Sequence, residues 1–493
     1  MGVSLLGVAD GGKKLRWDAF DVYRVSAGGE IMTQAGAFTP PWIRRSEGHM
    51  GESPHSIPTA PGRLPLVGHL PGLSRDLLGF ITALREAAEH GLVRVYVGTT
   101  PMYVVTAYEP ADDILAARTH ALGVGRMFRQ LGPLIGDSLA TLEGPAHLRR
   151  RLIHPPFRAG EIPGYAGAIT RLARDLSGSF KPREPVRVDR ALYRLTLTAT
   201  AEALFSVGLA GPVVAEVDRS LPVVTNGVAL RAFLPRGFER LPLPLNRRYD
   251  LAVRRLRHAI QSAIDQHRAA SPTSRNLLSA LQENRDPDSG EGLTDGQIRD
   301  EIITIMLAGT DTPASVLSWT LYELARHPEV EHRLHAELDT VLAGRPAEIS
   351  DVARLPYTGQ VLTEANRLYS ALLLMRATAT PTTLAGERLP PGTDILLSPY
   401  VIHRDPRFFD DRFDPGRWEP GRAHHIPRKA YLPFGAGPHK CIGDALAWAE
   451  LVIVLATLCS RWRLRLAPGH PVTAVPSVVP RPDNLLMIPE PRT

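Results

Sequence analysis

One long helical pattern dominates the second half of this chain and constrains its fold more than any other feature. Thr294 and Gln297 have the spacing of a capping box, and the next strong stop signal is Pro328. The helix between them would have about 32 residues and extend about 48 Å, which is enough to cross a whole domain. The sequence therefore predicts a mainly α-helical fold built around one central helix.

The centre of this helix carries residues that a buried helix usually avoids. In LAGTDTPAS, residues 307–315, Gly309 and Pro313 interrupt an apolar run, and Asp311 and Thr312 add polar groups. Pro313 has no N–H for the carbonyl of Gly309, which predicts a free acceptor and a bulge or kink. A functional site would explain the break. Alternatively, Thr312 bonds back to a preceding carbonyl and Asp311 faces solvent.

A second constrained stretch is FGAGPHKCIG, residues 434–443, which contains one of only two cysteines. Its glycines permit backbone conformations and close approaches that a Cβ would forbid. Cys441 lies just before a helical pattern, and the helix N-terminus, with His439 and Lys440, is expected to favour the thiolate. Such a thiolate beside Phe434 suits ligation of a flat metal macrocycle. Cys459, inside the helical pattern, is interpreted as structural.

The composition excludes several other classes of protein. Two cysteines are too few for a disulfide framework, a cysteine-rich zinc site or a four-thiolate cluster, and they favour a reducing cytoplasm. The 57 Lys and Arg against 51 Asp and Glu give a net charge of +6, interleaved along the chain. This pattern suits an acidic protein partner and not nucleic acid. No segment has the roughly 18–20 uninterrupted apolar residues that a transmembrane helix needs.

The chain divides into a loosely ordered extension and one large domain. Residues 1–55 lack periodicity, with Met32 as an alternative start, and residues 56–493 are assigned to a single domain. Within this domain, VRVYV and MYVVTA around Gly98 predict a β-hairpin, and a helix is predicted over Leu77–Glu89. Residues 284–292 are expected to form a surface loop between helices.

Several stretches together resemble the cytochrome P-450 superfamily over about residues 57–493. FGAGPHKCIG is similar to the haem-binding signature Phe-x-x-Gly-x-x-x-Cys-x-Gly, and LAGTDT to the oxygen-activating segment of the distal helix. EANR resembles the Glu-x-x-Arg motif, FDPGRW the region that follows it, and GPAHLRRRL the His-x-x-x-Arg helix of bacterial members. The chain departs from the usual pattern of this family at two positions. Ser370 stands where many members have proline, and His439 stands where arginine is frequent.

The resemblance implies a mainly α fold with small β-sheets, in which the long distal helix lies over haem b. Cys441 would be the axial ligand of the iron. Buried propionates would need cationic or hydrogen-bonding partners, and the candidates are His147, Arg151, Arg376 and His439. Further contacts of the macrocycle are assigned to Phe434, Gly435, Gly443 and Ala308. A buried ionic network behind the Cys441 loop is assigned to Glu364, Arg367 and Arg417.

The resemblance also implies that one oxygen atom of O2 is inserted into a C–H bond. Thr312 would donate a hydrogen bond to bound oxygen, Asp311 would relay protons, and the carbonyl of Gly309 would hold a water. The chain has no dinucleotide fingerprint, P-loop or flavin domain. Electrons would therefore come from NAD(P)H through a separate ferredoxin reductase and an acidic ferredoxin. The protein is expected to act as a monomer.

The substrate is expected to be an apolar small molecule. The residues assigned to the substrate pocket are Met127, Phe128, Val228, Leu372, Leu373 and Leu374. The overall sequence, including RLPLPLNRRYD, resembles actinobacterial sesquiterpene oxygenases, which favours a terpene of secondary metabolism. Arg126 and Arg129 could instead anchor the carboxylate of a fatty acid or polyketide. A haem-thiolate isomerase or dehydratase, which would not activate oxygen, is the alternative of another class, and a haem-based sensor or carrier is a further one.

Overall fold

The computed structural model describes residues 24–25, 31–32, 57–116, 122–143, 149–205, 207–233, 241–270, 276–384 and 387–492. Apart from two short strands, the extension assigned to residues 1–55 lies outside these ranges. None of the helices in the described part of the chain combines the length and the apolar character that a transmembrane segment requires.

The described helices, in chain order, are α1 Leu70–Arg75, α2 Leu77–Ala87, α3 Tyr108–Ala116, α4 Arg126–Ile135, α5 Arg150–Ile153, α6 Pro163–Ser179, α7 Val188–Leu204, α8 Val207–Phe233, α9 Pro244–Ala270, α10 Leu277–Glu283, α11 Asp295–Arg326, α12 Pro328–Leu342, α13 Pro356–Leu368, α14 Pro399–Ile402, α15 Pro420–Ala423 and α16 Asp444–Arg461. The strands are β1 Arg24–Val25, β2 Ile31–Met32, β3 Leu92–Val97, β4 Thr100–Val105, β5 Leu122–Val124, β6 Val186–Arg187, β7 Leu374–Thr378, β8 Thr382–Leu384, β9 Glu387–Leu389, β10 Asp394–Leu397, β11 Trp462–Leu466, β12 Thr473–Val475, β13 Arg481–Asp483 and β14 Leu486–Pro491.

The sheets are small and lie beside the helical core. The largest has the strand order β3-β4-β10-β7-β5, and only its β4–β10 pair is parallel. Strands β3 and β4 form the predicted hairpin, whose turn passes through Gly98 at a φ of 62°. A three-stranded sheet, β11-β14-β6, joins the C-terminal strands to the strand that precedes α7. The fold is therefore mainly α with small sheets, as predicted.

Helix α11 is the central element and has the predicted ends. Thr294 and Gln297 form both hydrogen bonds of the capping box. Along its length, α11 packs against α7, α13 and α16. Trp319 of α11 is fully buried and stacks on Tyr369, with ring centroids 4.1 Å apart. These contacts hold the centre of α11 close to α16, the helix that follows Cys441.

Residues 295–326 form one continuous α-helix that runs through Pro313, so the proline does not interrupt the helix. The proline is tolerated because the carbonyl it leaves without a backbone donor finds another one. Thr200 Oγ1 on α7 donates to the carbonyl of Gly309 at 3.1 Å. One turn earlier on α7, Thr196 Oγ1 donates to the carbonyl of the next residue of α11, Thr310, at 2.8 Å. Two threonines on α7 thus stabilise the centre of α11.

Candidate functional site

The loop of residues 434–443 is closed by its own backbone. The N–H of Cys441 donates to the carbonyl of Phe434 at 2.8 Å. Gly435 and Gly437 have φ values of 65° and 70°, in the left-handed region that glycine adopts without a steric penalty. Cys441 is solvent-accessible at the end of this loop, and α16 begins three residues later. The loop therefore presents one thiol at the start of a long buried helix.

The chain itself does not stabilise the thiolate of Cys441. Although Cys441 is solvent-accessible, the protein atoms around its sulfur desolvate the thiol and raise its pKa, and Asp444 raises it further. A hydrogen bond from the N–H of Gly443 and the charges of Arg150 and Lys440 lower it only in part. The helix N-terminus and Lys440 act in the expected direction, but burial outweighs them, and Lys440 also pairs with Asp444 at 2.5 Å. A bound metal cation would supply the missing stabilisation.

Arg150 is the arginine of α5 that contacts the cysteine loop. Its Nη2 donates to the carbonyl of Lys440 at 2.7 Å. Burial lowers the pKa of Arg150, while the nearby Cys441 and Asp444 raise it. Arg150 was not among the site residues predicted from the sequence. Its signal was the triplet of arginines at 149–151, of which only some can face inward.

Arg151, the member of the triplet assigned to a propionate, faces the surface instead. Its guanidinium pairs with Asp286 at 3.0 Å and with Asp288 at 2.6 Å. Both carboxylates belong to the loop at 284–292, which is on the surface as predicted. These ion pairs contradict the assignment of Arg151 to the macrocycle. His147, assigned to the same role, lies outside the described residues.

Arg376 on β7 has the desolvated guanidinium that is expected of an anion-binding residue. Burial lowers the pKa of its guanidinium to about 10. Its Nη1 donates to the carbonyl of Met375 at 3.0 Å, and no carboxylate within the described part of the chain pairs with it. A desolvated arginine without a counter-ion is costly, so an anionic ligand group would stabilise it.

His439, another residue assigned to a propionate, is half-buried in the cysteine loop.

The carbonyl of Gly309, which was assigned to hold a water, already accepts one hydrogen bond from within the chain. It accepts the hydroxyl of Thr200, as described above. A Cβ at Gly309 would also lie 2.8 Å from that hydroxyl oxygen. The close approach of Thr200 on α7 therefore favours glycine at this position, and the second lone pair of the carbonyl stays available, so its role in holding a water stays a prediction.

The polar residues at the centre of α11 have different surroundings. Asp311 is half-buried, and burial raises its pKa, while Arg481 and a hydrogen bond with Ser477 lower it. Thr312 is also half-buried. Ala308 is exposed although Met306 and Thr310 beside it are buried. An exposed alanine in the middle of a central helix indicates that this face of α11 borders a cleft.

The expected ion pairs among Glu364, Arg367 and Arg417 are present and buried. Arg367 donates to the two oxygens of Glu364 at 2.8 and 3.0 Å. Arg417 Nε approaches Glu364 Oε1 at 3.4 Å, and Trp418 Nε1 donates to Oε2 at 2.8 Å. The Glu364 carboxylate is thus surrounded by donors, as a fully buried charge requires.

A hydrogen-bond chain connects this network to the cysteine loop. Arg367 Nη1 donates to the carbonyl of His403 at 3.0 Å. Burial lowers the pKa of His403 to about 3, so its ring is neutral, and its Nε2 accepts the N–H of Leu432 at 2.7 Å. Leu432 lies two residues before Phe434. The network can therefore position the loop through the backbone.

The residues assigned to a substrate pocket fall into two groups. Phe128, Leu373 and Leu374 are half-buried, which is compatible with lining a cleft. Val228 and Leu372 are 6% and 3% exposed and pack inside hydrophobic clusters, so the structure places them in the core. The side chain of Met127 lies outside the described residues.

The two arginines considered as carboxylate anchors, Arg126 and Arg129, lie on helix α4. Arg129 donates to the carbonyl of Val124 and lies 3.9 Å from Asp394 and 4.0 Å from Glu143. The backbone N–H of Arg126 is bound by Asp394 at 2.9 Å. Arg129 is thus already balanced by carboxylates of the chain, which argues against its use for a substrate carboxylate.

The residues around Cys441 fit a haem. An accessible thiol at the end of a glycine loop would offer one protein ligand, and thiolate is an established ligand of haem iron. A Cβ at Gly443 would meet no atom of the chain nearer than 3.9 Å, so neither packing nor a positive φ demands glycine there. Open space over Gly443 and a desolvated Arg376 suit a flat group that carries carboxylates.

The comparisons with known proteins agree with this reading of the site. The family model described as Cytochrome P450 matches residues 58–492. Cyclooctatin synthase of Streptomyces melanosporofaciens is 41% identical over 440 residues, which are 88% of this chain and 95% of that protein. Cyclooctat-9-en-7-ol 5-monooxygenase of the same organism is 39% identical over 446 residues, or 90% and 96% of the two chains. Pentalenene oxygenase of Streptomyces avermitilis is 36% identical over 421 residues, or 85% and 93%.

The fold is shared with a solved structure. The crystal structure of the cytochrome P450DA heme domain superposes with a TM-score of 0.77 and covers 89% of this chain and 98% of that one. Its sequence is 23% identical, so this likeness shows the fold alone.

Proposed function

The chain belongs to the cytochrome P450 family, and on this premise we propose that it is a monooxygenase that hydroxylates a terpene hydrocarbon or terpene alcohol. The observation that carries the proposal is the accessible Cys441 thiol in its glycine loop, at the start of a helix packed against α11. Haem b ligated by this sulfur would activate O2 for insertion into a C–H bond. The residues of the chain hold the group, move protons and position the substrate.

The division of roles follows from the geometry. Cys441 would bind the iron, Arg376 would pair with a propionate, and Arg150 would fix the carbonyl of Lys440 beside the ligand. Thr312, on α11, would donate a hydrogen bond to bound oxygen. Asp311 would exchange protons with Thr312. The desolvation of the Asp311 carboxyl supports this role, because a raised pKa brings an acid closer to neutral pH.

The substrate class is supported by the relatives and by the apolar cleft residues. Two relatives are named for cyclooctatin chemistry and a third for oxidation of pentalenene. The half-buried Phe128, Leu373 and Leu374 offer hydrophobic contacts and no charge. We therefore propose a terpene hydrocarbon or terpene alcohol, and the fatty acid or polyketide acid is the less favoured substrate.

The electron donor is proposed to be an acidic ferredoxin served by a ferredoxin reductase and NAD(P)H. The net charge of +6 and the exposed Lys440 next to Cys441 support an acidic partner on this side of the molecule. Two free thiols, Cys441 and Cys459, support a reducing cytoplasm as the location.

The proposal is tested by loading the purified chain with haem and supplying a ferredoxin, its reductase and NADPH. We expect terpenes to shift the haem absorption spectrum on binding and to yield an alcohol that carries one atom of labelled O2. Conversion of the terpene without consumption of O2 would instead indicate an isomerase or dehydratase. Turnover of fatty acids but not of terpenes would overturn the substrate class.

A further inference from the structure

A cleft of about 320 Å³ lies between helix α12 and the C-terminal strands β11 and β14. Its polar lining residues are His332, His335, Asp339, Arg463, Glu490 and Arg492. None of the lining residues belongs to the cysteine loop or to the centre of α11. The site proposed for the haem therefore does not account for this cleft.

His335 is the buried polar group of the cleft. The residue is 3% exposed, and neither Nδ1 nor Nε2 has a hydrogen-bond partner in the part of the chain that the structure describes. Burial and the charges of Arg492 and Arg463 lower the pKa of His335 to about 3, so its ring is neutral at physiological pH. An unpaired buried imidazole destabilises the folded state, and a ligand that bonds to it would offset this cost.

The charges around this imidazole favour an anion. The carboxylate of Asp339 only partly offsets the effect on its pKa of three arginines, which are Arg463, Arg465 and Arg492. Asp339 is itself paired, because Arg492 Nη2 donates to both of its oxygens at 2.7 Å. Glu490, the other carboxylate of the cleft, lies 3.5 Å from Arg465. Arg463 is exposed, and no carboxylate among the described residues is at ion-pair distance from it. Its guanidinium is thus available to an anionic ligand.

The positions of the donors favour phosphate over a carboxylate. His332 and His335 lie one turn apart on α12, and Arg463 lies on β11. A ligand between these two elements must accept hydrogen bonds from several directions. The oxygens of phosphate point in tetrahedral directions, whereas those of a carboxylate lie in one plane. A guanidinium also matches phosphate oxygens with paired N–H groups.

We propose that this cleft binds a phosphate group, as free phosphate or as a phosphate monoester, between the Arg463 guanidinium and the imidazoles of His332 and His335. The anion gives Arg463 a counter-ion and gives the buried His335 ring a hydrogen-bond partner. The site uses neither Cys441 nor the haem, so the inference goes beyond the proposed monooxygenase function. Its test can fail while that function stands, and the reverse.

Binding is measured on the haem-loaded full chain by isothermal titration calorimetry with inorganic phosphate, glycerol 3-phosphate and acetate. We expect both phosphates to bind more tightly than acetate. Arg463→Gln, an exposed substitution, should weaken phosphate binding by on the order of tenfold, because it removes the charge and the forked donor. Arg388→Gln is the matched control, since Arg388 is exposed on β9 and pairs with no carboxylate of the described residues. It should leave binding unchanged. Tighter binding of glycerol 3-phosphate would identify a monoester as the ligand, and equal binding would identify free phosphate.

His335→Leu gives a readout that a purely structural histidine would not give. Leucine fills a similar volume without polar atoms, so the free energy of unfolding should stay equal or rise while phosphate binding is lost. Phosphate should raise the midpoint of thermal unfolding of the unmodified chain and not that of His335→Leu.

Three results would overturn the inference. The first is that neither phosphate binds, or that acetate binds as tightly as they do. The second is that Arg463→Gln and Arg388→Gln bind phosphate equally well. The third is that His335→Leu loses stability and still binds phosphate with the affinity of the unmodified chain.

Discussion

Replacing Arg367 by methionine should destabilise the fold far more than removing a surface ion pair. Arg367 and Glu364 are both fully buried. Arg367 donates two hydrogen bonds to Glu364 and one each to the carbonyls of His403 and Arg412. Methionine keeps much of the apolar stem but removes every one of these donors. Breaking a buried ion pair from one side costs about 3–5 kcal/mol, because the remaining charge stays buried.

The free energy of unfolding is measured by urea titration with far-ultraviolet circular dichroism. Arg268→Met is the matched control, since its pair with Asp295 at 2.8 Å has side chains that are 50% and 62% exposed. Such an exposed pair contributes about 0–1 kcal/mol to the free energy of unfolding. Similar small losses for both variants would refute the reasoning that burial makes the Arg367 network costly to break.

The same variant tests the connection between the network and the cysteine loop. Arg367 fixes His403, whose ring accepts the N–H of Leu432. We expect Arg367→Met to reduce the fraction of protein that shows a thiolate-ligated reduced carbon-monoxide spectrum. Arg268→Met should leave that fraction unchanged.

Three further predictions follow from single residues. Thr312→Ala should divert electrons from product to peroxide, and full product yield per electron would contradict its role in oxygen activation. Burial raises the pKa of Glu450 to about 8, so the folded state binds a proton that the unfolded state releases. Stability should therefore fall by roughly 2–3 kcal/mol between about pH 6 and pH 8, and Glu450→Gln should remove that part of the decline in urea titrations at both pH values. Arg376→Gln should weaken haem binding, measured as the rate of haem loss to apomyoglobin, whereas Arg151→Gln should not; equal effects would contradict the placement of Arg151 on the surface.

The sequence predicted the elements whose signals are local. The ends of α11 were predictable because the capping box at Thr294 and Gln297 lies within one turn. The hairpin at Gly98 and the loop before α16 were predictable for the same reason, since alternation, glycine and helix periodicity are read over a few residues.

Features that depend on distant partners could not be predicted in this way. The donor for Gly309 is Thr200, which is 109 residues away in the sequence, so no local pattern shows that this carbonyl is satisfied. The triplet of arginines at 149–151 indicates that some of them face inward, but not that Arg150 faces the cysteine loop and Arg151 the surface loop. Apolar sequence likewise does not distinguish Leu372, which is buried in the core, from its half-buried neighbour Leu373.

The central claim is that the sulfur of Cys441 ligates the haem iron, and the reduced carbon-monoxide spectrum tests it most directly. The unmodified chain and Cys459→Ser should both show the red-shifted band that is characteristic of thiolate ligation. Cys441→Ser should lose this band even when it binds haem. If Cys441→Ser kept the band, or if Cys459→Ser lost it while remaining folded, the assignment of the ligand would be contradicted.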